Sequence, residues 1–163
     1  MKRFFAVLAG ILLFTELSKA NTVMDNSAPN PGGRSRGMRN NNPGNIKETG
    51  TNWKGQLKPT QDPPFAQFET MVYGTRAMII LIKRTYRNMG LNTIRGIVSR
   101  YAPPSENITD AYINAVSRRT GLDPDRILAT EGDYKNVIQA MAYHENGFDA
   151  VPDILYYQAN RMI

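Results

Sequence analysis

The sequence predicts a mostly helical α+β domain with a small antiparallel β element near the N-terminus of the folded part. From residue 71 onward, apolar residues recur at helical spacing between capping residues and glycines. Residues 37–68 instead hold most of the Gly, Pro and Asn of this part and show no helical period. The chain has no cysteine, so the hydrophobic core alone must hold the fold.

The N-terminus has the pattern of an exported protein. Residues 1–20 begin Met-Lys-Arg, continue through an apolar run too short to span a bilayer, and end Ser-Lys-Ala, which is typical of a cleavable secretory signal. An uncleaved N-terminal anchor is the alternative. Residues 21–36 are polar and rich in Pro, Gly and Asn, and are predicted to be a flexible linker. Residues 37–163 then form one domain, expected as a monomer in the periplasm or cell-wall space, with no stable membrane span after signal cleavage.

The charge balance favours a polyanionic partner. The formal net charge is +6, and removing residues 1–20 leaves a basic domain. Cell-wall polymer, lipid headgroups and nucleic acid would all fit a basic domain. Basic residues are spread over every segment without a nucleic-acid-binding motif, and export also makes nucleic acid an unexpected partner.

The β element begins with a turn-forming cluster. Residues 40–45 read Asn-Asn-Asn-Pro-Gly-Asn, in which Pro43 holds Asn42 extended and Gly44 is free to adopt positive φ. Short strands are predicted at residues 46–47, 53–55 and 65–68.

Apolar spacing and capping signals then predict a series of helices. A long helix that is apolar on more than one side should form the centre of the core and end at Gly90. The predicted helices are residues 73–89, 94–101 (capped by Asn92 or Thr93), 110–120 (capped by Thr109), 125–130 (opened by Asp123-Pro124), 134–147, and 153–161 (opened by Pro152).

The helix at residues 134–147 carries an acid on its apolar face. Tyr134, Ile138, Met141 and Glu145 fall on one helical stripe, and Asn146-Gly147 should end the helix directly afterwards. Burial and the negative end of the helix dipole would both raise the pKa of Glu145, as suits a general acid near neutral pH. The alternative is that Glu145 simply leaves the apolar face as the helix frays into solvent.

Other catalytic chemistries are excluded by residue type. With no Cys and one His, His144, we expect no metal site and no cofactor, and no motif for a Ser-His-Asp triad accompanies that histidine. Most other acids lie at predicted helix starts, where capping explains them, or in predicted solvent-facing loops. Glu69, before the main helix and beside the sheet, is the candidate for a second acid.

Trp53, the one tryptophan, lies among turn residues. It either covers one end of the core or forms a platform on which a sugar ring stacks. The sequence leaves both interpretations open.

Several segments together form a recognisable set of motifs: Arg-Gly-Met-Arg-Asn-Asn-Asn-Pro-Gly-Asn-Ile-Lys (36–47), Trp-Lys-Gly (53–55), Phe-Ala-Gln-Phe (65–68), Tyr-Gly-Thr-Arg-Ala (73–77), Thr-Ile-Arg-Gly-Ile-Val (93–98), Ala-Pro-Pro-Ser-Glu-Asn (102–107), Thr109 and Tyr112. This set resembles a family of phage and prophage proteins often labelled structural protein, which is similar to muralytic, lysozyme-like enzymes. The resemblance covers nearly all of residues 36–147.

A second resemblance, to lytic transglycosylases and glucosaminidases, depends on motif order. In those enzymes a helix ending in a catalytic Glu precedes an Asn-rich segment, a Trp-x-Gly and a Phe-x-x-Phe/Tyr strand. Here residues 42–47, 53–55 and 65–68 keep that order, but the Glu-bearing helix follows them. This departure suggests a circularly permuted lysozyme-like arrangement, in which the C-terminal helix returns Glu145 to the Asn-rich segment.

The resemblance implies cleavage of peptidoglycan glycan strands, with Glu145 as a single general acid and base. Asn42, Asn45 and Trp53 would line the sugar groove, and Tyr143 or His144 would orient the acid. A hydrolase would need a second carboxylate, about 5–5.5 Å away for retention or roughly 6.5–9.5 Å for inversion. The alternatives are a hydrolase, a peptidoglycan endopeptidase, and a non-catalytic virion structural or wall-binding protein.

Overall fold

Six helices and a two-stranded sheet make up the regular structure of the described residues. The computed structural model describes residues 34–103 and 108–163. The predicted signal and most of the predicted linker lie outside these residues, whereas Ser35 and Arg36 form the N-cap and first residue of the first helix. The elements are α1 (Arg36–Arg39), β1 (Gln56–Leu57), β2 (Gln67–Phe68), α2 (Met71–Ile80), a π-helical continuation of α2 (Leu81–Tyr86), α3 (Ile94–Tyr101), α4 (Thr109–Thr120), α5 (Glu131–Asn146) and α6 (Asp153–Asn160). The predicted mostly helical α+β class is confirmed.

The sheet is small and antiparallel, as predicted. Gln56 pairs with Phe68 and Leu57 with Gln67, and an isolated bridge joins Lys47 to Phe65. The first strand follows residues 53–55 instead of containing them. Those residues form a turn, closed by a hydrogen bond from the Gln56 N–H to the Trp53 carbonyl.

The helix that begins at Met71 is the centre of the core. Its residues Ala77, Met78 and Ile79 are buried, and Ile82 continues the buried surface into the π-helical segment. The helix is apolar on more than one side because it packs between the sheet and the C-terminal helix α6.

Two predicted capping arrangements are wrong. Thr109 is the first residue of α4, and its hydroxyl donates to the Ala102 carbonyl instead of capping the helix. No helix forms at residues 125–130, because backbone hydrogen bonds tie this segment to the start of α3. The Arg95 N–H donates to the Pro124 carbonyl, and the Leu128 N–H donates to the Asn92 carbonyl.

The helix α5 carries the predicted stripe of three apolar residues and one acid. It starts at Glu131, three residues before the predicted stretch, because Thr130 and Asp133 form a capping box. It ends at Asn146, and Gly147 adopts the left-handed conformation with φ 79°. Tyr134, Ile138 and Met141 are buried, and Glu145 is half-buried.

No helix in the described segments is long and apolar enough to cross a membrane.

Candidate active site

An Asn-rich loop, residues 40–47, forms one side of the candidate site. Asn42 is fully buried and shapes this loop from within. Its Nδ2 donates to the carbonyls of Ile46 (2.9 Å) and Ala66 (2.8 Å), and its Oδ1 accepts from the Ile46 N–H (2.9 Å). The prediction that Asn42 lines a sugar groove is therefore wrong, because its amide group is used within the loop.

The backbone of this loop is unusual and is pressed against α2. Asn41 and Asn45 adopt positive φ, 50° and 49°, a conformation that Asn tolerates better than most residues. A Cβ atom at Gly74 of α2 would lie 1.8 Å from the Asn41 carbonyl oxygen. The loop can approach α2 this closely because position 74 is glycine.

Glu145 lies against the Asn-rich loop. Its Oε2 accepts a hydrogen bond from Asn45 Nδ2 (3.0 Å), and its Oε1 accepts one from the Tyr112 hydroxyl (2.9 Å). The helix α5 thus brings the acid to the Asn-rich segment, as the motif order suggested. Both bonds stabilise the charged carboxylate and fix its orientation.

Asn146 joins the same two elements from the buried side. Its Nδ2 donates to the Pro43 carbonyl (2.8 Å) and to the Ala142 carbonyl (2.7 Å), and its Oδ1 accepts from the Ser35 hydroxyl (2.6 Å). Sequence reasoning used Asn146 only as a helix-ending residue. It anchors the end of α5, and with it Glu145, to the loop.

Two tyrosines near Glu145 were not identified as site residues from the sequence. Burial raises the pKa of the Tyr112 hydroxyl well above its usual value, and the charge of Glu145 raises it further. The pKa of Tyr101 is raised well above its usual value by the same two causes, and its hydroxyl donates to the Gly44 carbonyl. Both hydroxyls therefore stay protonated at neutral pH and serve as hydrogen-bond donors. The sequence signals for Tyr112 were its part in the family resemblance and its position as a phenol on an otherwise apolar face of α4.

The two residues before Glu145 differ in position. The His144 ring stacks on Tyr112, with ring centroids 3.8 Å apart, and so contacts the tyrosine that holds the acid. Tyr143 is exposed on another face of α5, where the Arg119 guanidinium lies 3.6 Å from its ring centroid. Of the two predicted orienting residues, His144 reaches the surroundings of Glu145 through Tyr112.

A cleft of about 500 Å³ opens beside Asn45, and we refer to it as the loop cleft. Its walls come from the segment that follows the Asn-rich turn, from the end of α2 and its continuation, and from α3. Among its lining residues are Asn45, Lys47, Thr51, Trp53, Ile80, Leu81, Tyr86, Met89, Arg100 and Tyr101. Glu145 is not one of these lining residues, and its link to the cleft is the hydrogen bond that it accepts from Asn45.

Two polar atoms on the lining residues are buried without a hydrogen-bond partner in the described part of the chain. They are Asn45 Oδ1, an acceptor, and Trp53 Nε1, a donor. Trp53 also packs against the core, as the first interpretation expected, and the stacking of a sugar ring on it stays a prediction. The turn that contains Trp53 requires glycine at position 55, because φ there is 71° and a Cβ would lie 2.3 Å from the Tyr73 ring.

Glu69, the candidate second acid, is exposed immediately before Thr70, the N-cap of α2. Its backbone carbonyl accepts a hydrogen bond from Asn41 Nδ2 (3.2 Å). No carboxylate is present among the described residues that line the loop cleft. Nor do the described residues contain a group of three or more His, Cys, Asp or Glu that could hold a metal ion.

Comparison with known proteins places the chain in a family of phage proteins. A member of this family is Protein P5 of Pseudoalteromonas phage PM2, which is 44% identical over 115 residues. The matched region covers 69% of this chain and 71% of the phage protein, so the chain belongs to the same family. The expected relationship to phage proteins is thereby confirmed. No model of a protein family matches the chain.

Proposed function

We propose that the protein cleaves the glycan strands of peptidoglycan as a lytic transglycosylase, with Glu145 as its general acid and base. The observation that carries this proposal is the placement of Glu145. A half-buried carboxylate at the end of a buried helix is held by Asn45 and Tyr112 beside a cleft of about 500 Å³. A carboxyl group oriented in this way can deliver a proton at a defined point.

In the proposed reaction, the Glu145 carboxyl gives its proton to the glycosidic oxygen as the bond between that oxygen and the sugar C1 breaks. The resulting carboxylate takes a proton from a hydroxyl of the same sugar, whose oxygen bonds to C1 and closes an anhydro ring. Glu145 ends the cycle protonated, and no water is consumed.

Tyr112 allows the site to hold Glu145 in both of the protonation states that this cycle needs. Its hydroxyl lies 2.9 Å from Glu145 Oε1 and 3.4 Å from the Met141 carbonyl. When Glu145 is charged, the hydroxyl donates to it. When Glu145 is protonated, the hydroxyl can rotate to donate to the Met141 carbonyl, and its oxygen can accept a hydrogen bond from the carboxyl O–H.

The lining of the loop cleft favours this scheme over hydrolysis. A hydrolase requires a second carboxylate at a defined separation from the first. The described lining residues contain no acid, and Glu69 is exposed at the start of α2. A mechanism in which one carboxyl group serves as both acid and base therefore suits the described cleft better than one that needs two carboxyl groups.

The proposal includes export to the periplasm or cell-wall space, where the substrate is found. The signal pattern in residues 1–20 and the basic charge of the remaining domain support this location.

One alternative is a non-catalytic virion structural or wall-binding protein. The observation favouring it is that both Glu145 oxygens are hydrogen-bonded within the protein, which also suits a residue that only ties α5 to the Asn-rich loop. A peptidoglycan endopeptidase or a hydrolase remains a further alternative.

Glu145→Gln tests the proposal, because the amide keeps the size of the side chain but cannot carry the proton. We expect the wild type to release soluble fragments from dye-labelled sacculi and the variant to lose at least about 100-fold of that rate. Glu69→Gln is the control and should retain the wild-type rate. Circular dichroism checks that each variant is folded. A folded Glu145→Gln variant with the wild-type rate would contradict the proposal.

A further inference from the structure

Asn146 belongs to the one Asn-Gly pair in the sequence. Asparagine followed by glycine is the pair most prone to deamidation, because a glycine has no side chain to hinder its backbone nitrogen. In this protein the pair lies at the joint between α5 and the Asn-rich loop, where Asn146 donates to the Pro43 carbonyl. A chemical change at this residue would therefore act on the contact that anchors Glu145.

The deamidation reaction has water as its only co-reactant. A bond forms between the Gly147 backbone nitrogen and Asn146 Cγ. The bond between Cγ and Nδ2 breaks, and the amide leaves as ammonia with the proton that the Gly147 nitrogen gives up. Water then opens the resulting succinimide ring: its hydroxyl goes to one carbonyl carbon and its proton to the ring nitrogen. The product at position 146 is aspartate or isoaspartate.

The folded protein holds both reacting groups apart from each other and from water. The Gly147 N–H donates to the Tyr143 carbonyl (2.7 Å), so the attacking nitrogen is engaged in the helix end. The Asn146 amide is held by the two carbonyl groups described above and by the Ser35 hydroxyl (2.6 Å). A Cβ at Gly37 would lie 2.3 Å from Asn146 Oδ1, so α1 covers the amide closely. Asn146 is only 7% exposed, which limits the access of water.

An aspartate at position 146 does not fit this joint. Its carboxylate has no N–H to donate, so the Pro43 and Ala142 carbonyl oxygens would face a negative charge where they now face an amide nitrogen. The neighbouring Glu145 carboxylate would add repulsion between like charges. Deamidation would therefore separate the Asn-rich loop from the end of α5.

We propose that Asn146 is a deamidation site which the fold protects, and that opening of the end of α5 exposes it to a reaction that irreversibly releases the Asn-rich loop. Asn146 is the last residue of α5, and helix ends open locally more readily than the core. The inference concerns the integrity of the joint and does not depend on the reaction proposed for Glu145.

The protection can be measured on the purified protein in mildly alkaline buffer, with and without enough urea to unfold it. Peptide mapping by mass spectrometry gives the fraction of aspartate and isoaspartate at position 146 over time. We expect the folded protein to deamidate at least roughly tenfold more slowly than the unfolded one, because only its open fraction reacts.

Ser35→Ala should accelerate deamidation of the folded protein by roughly two- to tenfold, because it removes one hydrogen bond that holds the amide in the closed state. Ser117→Ala is the matched control. It also removes a hydroxyl that donates to a carbonyl at 2.6 Å, that of Leu122, but this bond lies at the end of α4. The control should deamidate at the wild-type rate.

The consequence of the reaction is measured with Asn146→Asp, which carries the product. Hydrogen–deuterium exchange of residues 40–47 should be faster in this protein than in the wild type, by roughly tenfold or more, because the loop has lost its tie to α5. Asn136→Asp makes the same change at an exposed position of the same helix and should leave the exchange of residues 40–47 unchanged. Deamidated wild-type protein, separated by ion exchange, provides the same comparison if the variant does not fold.

Equal deamidation rates in the folded and unfolded protein would overturn the inference, since the fold would then give no protection. Equal acceleration by Ser35→Ala and Ser117→Ala would also overturn it, because the reaction would then require unfolding of the whole domain. So would wild-type exchange of residues 40–47 in the protein with aspartate at position 146.

Discussion

At the scale of single residues, two properties of Glu145 define the candidate site. It occupies the end of an apolar stripe, and its two oxygens face donors from two other parts of the chain, Asn45 and Tyr112. The Tyr112 donor is a group whose own pKa is raised, so it remains protonated while Glu145 changes state. This arrangement permits titration of the acid without loss of its orientation.

Tyr112→Phe should move the titration of Glu145 to higher pH. The hydroxyl donates to the charged carboxylate, and removing a donor from the charged form makes protonation easier. NMR titration of ¹³C-labelled Glu side chains measures the midpoint, with the Glu145 signal assigned by its disappearance in Glu145→Gln.

Tyr143→Phe is the matched control, because this tyrosine lies beside Arg119 instead of Glu145. It should leave the midpoint unchanged, and the acidic limb of any pH–rate profile should follow the midpoint in each protein. Identical midpoints in the Tyr112→Phe and wild-type proteins would refute the role given to Tyr112.

The site residues were predictable from the sequence to different degrees. Glu145 was predictable because an acid on an apolar stripe conflicts with its surroundings. Asn42 was misassigned, since an Asn that bonds to its own loop and one that faces a ligand have the same local sequence signature. Tyr112 was named only as part of the family resemblance, because helical spacing can predict the burial of a side chain but not the partner of its hydroxyl.

At the scale of elements, the site depends on the packing of the Asn-rich loop against α2 and α5. Gly74 permits the contact with α2, and Asn146 fastens the loop to the end of α5. Glu145 and Asn45 are therefore held in place by two independent contacts of the loop.

Gly74→Ala should destabilise the protein by about 2 kcal/mol or more, because the added methyl would meet the Asn41 carbonyl oxygen and the backbone must shift. Gly132→Ala is the control, since its Cβ would meet only Thr130 Oγ1 at an ordinary 3.7 Å. The Gly132→Ala protein should be more stable than the wild type by up to about 1 kcal/mol, because alanine has a higher helix propensity than glycine. Urea unfolding followed by circular dichroism gives both values, and equal effects of the two substitutions would contradict the described packing.

The elements themselves were largely predictable where apolar periodicity and caps agree. The bounds of α3 match residues 94–101, and α5 ends where Asn146-Gly147 indicated. The predicted helix at residues 125–130 fails because Asp123-Pro124 signals a turn as well as a helix start. Here the Asp123 carboxylate accepts a hydrogen bond from the Asp125 N–H within such a turn. Only tertiary hydrogen bonds to α3 decide between the two.

At the scale of the whole molecule, the central contact joins residues that are 100 positions apart in the chain. Periodicity and capping describe each element but carry no information about such a contact. It was anticipated only through the order of motifs, in which the Glu-bearing helix follows the Asn-rich segment instead of preceding it. Membership of a phage protein family is shown by the similarity to Protein P5, whereas export and action on the cell wall are part of the proposal.

Product analysis of digested peptidoglycan tests the central claim most directly. Purified sacculi are incubated with the wild-type protein, and the soluble fragments are examined by mass spectrometry, with Glu145→Gln protein as the blank. The account predicts glycan fragments ending in anhydro-muramyl residues that appear with the wild type and are missing from the blank. Fragments with reducing ends, fragments cut in their peptides, or no release by the wild type would contradict it.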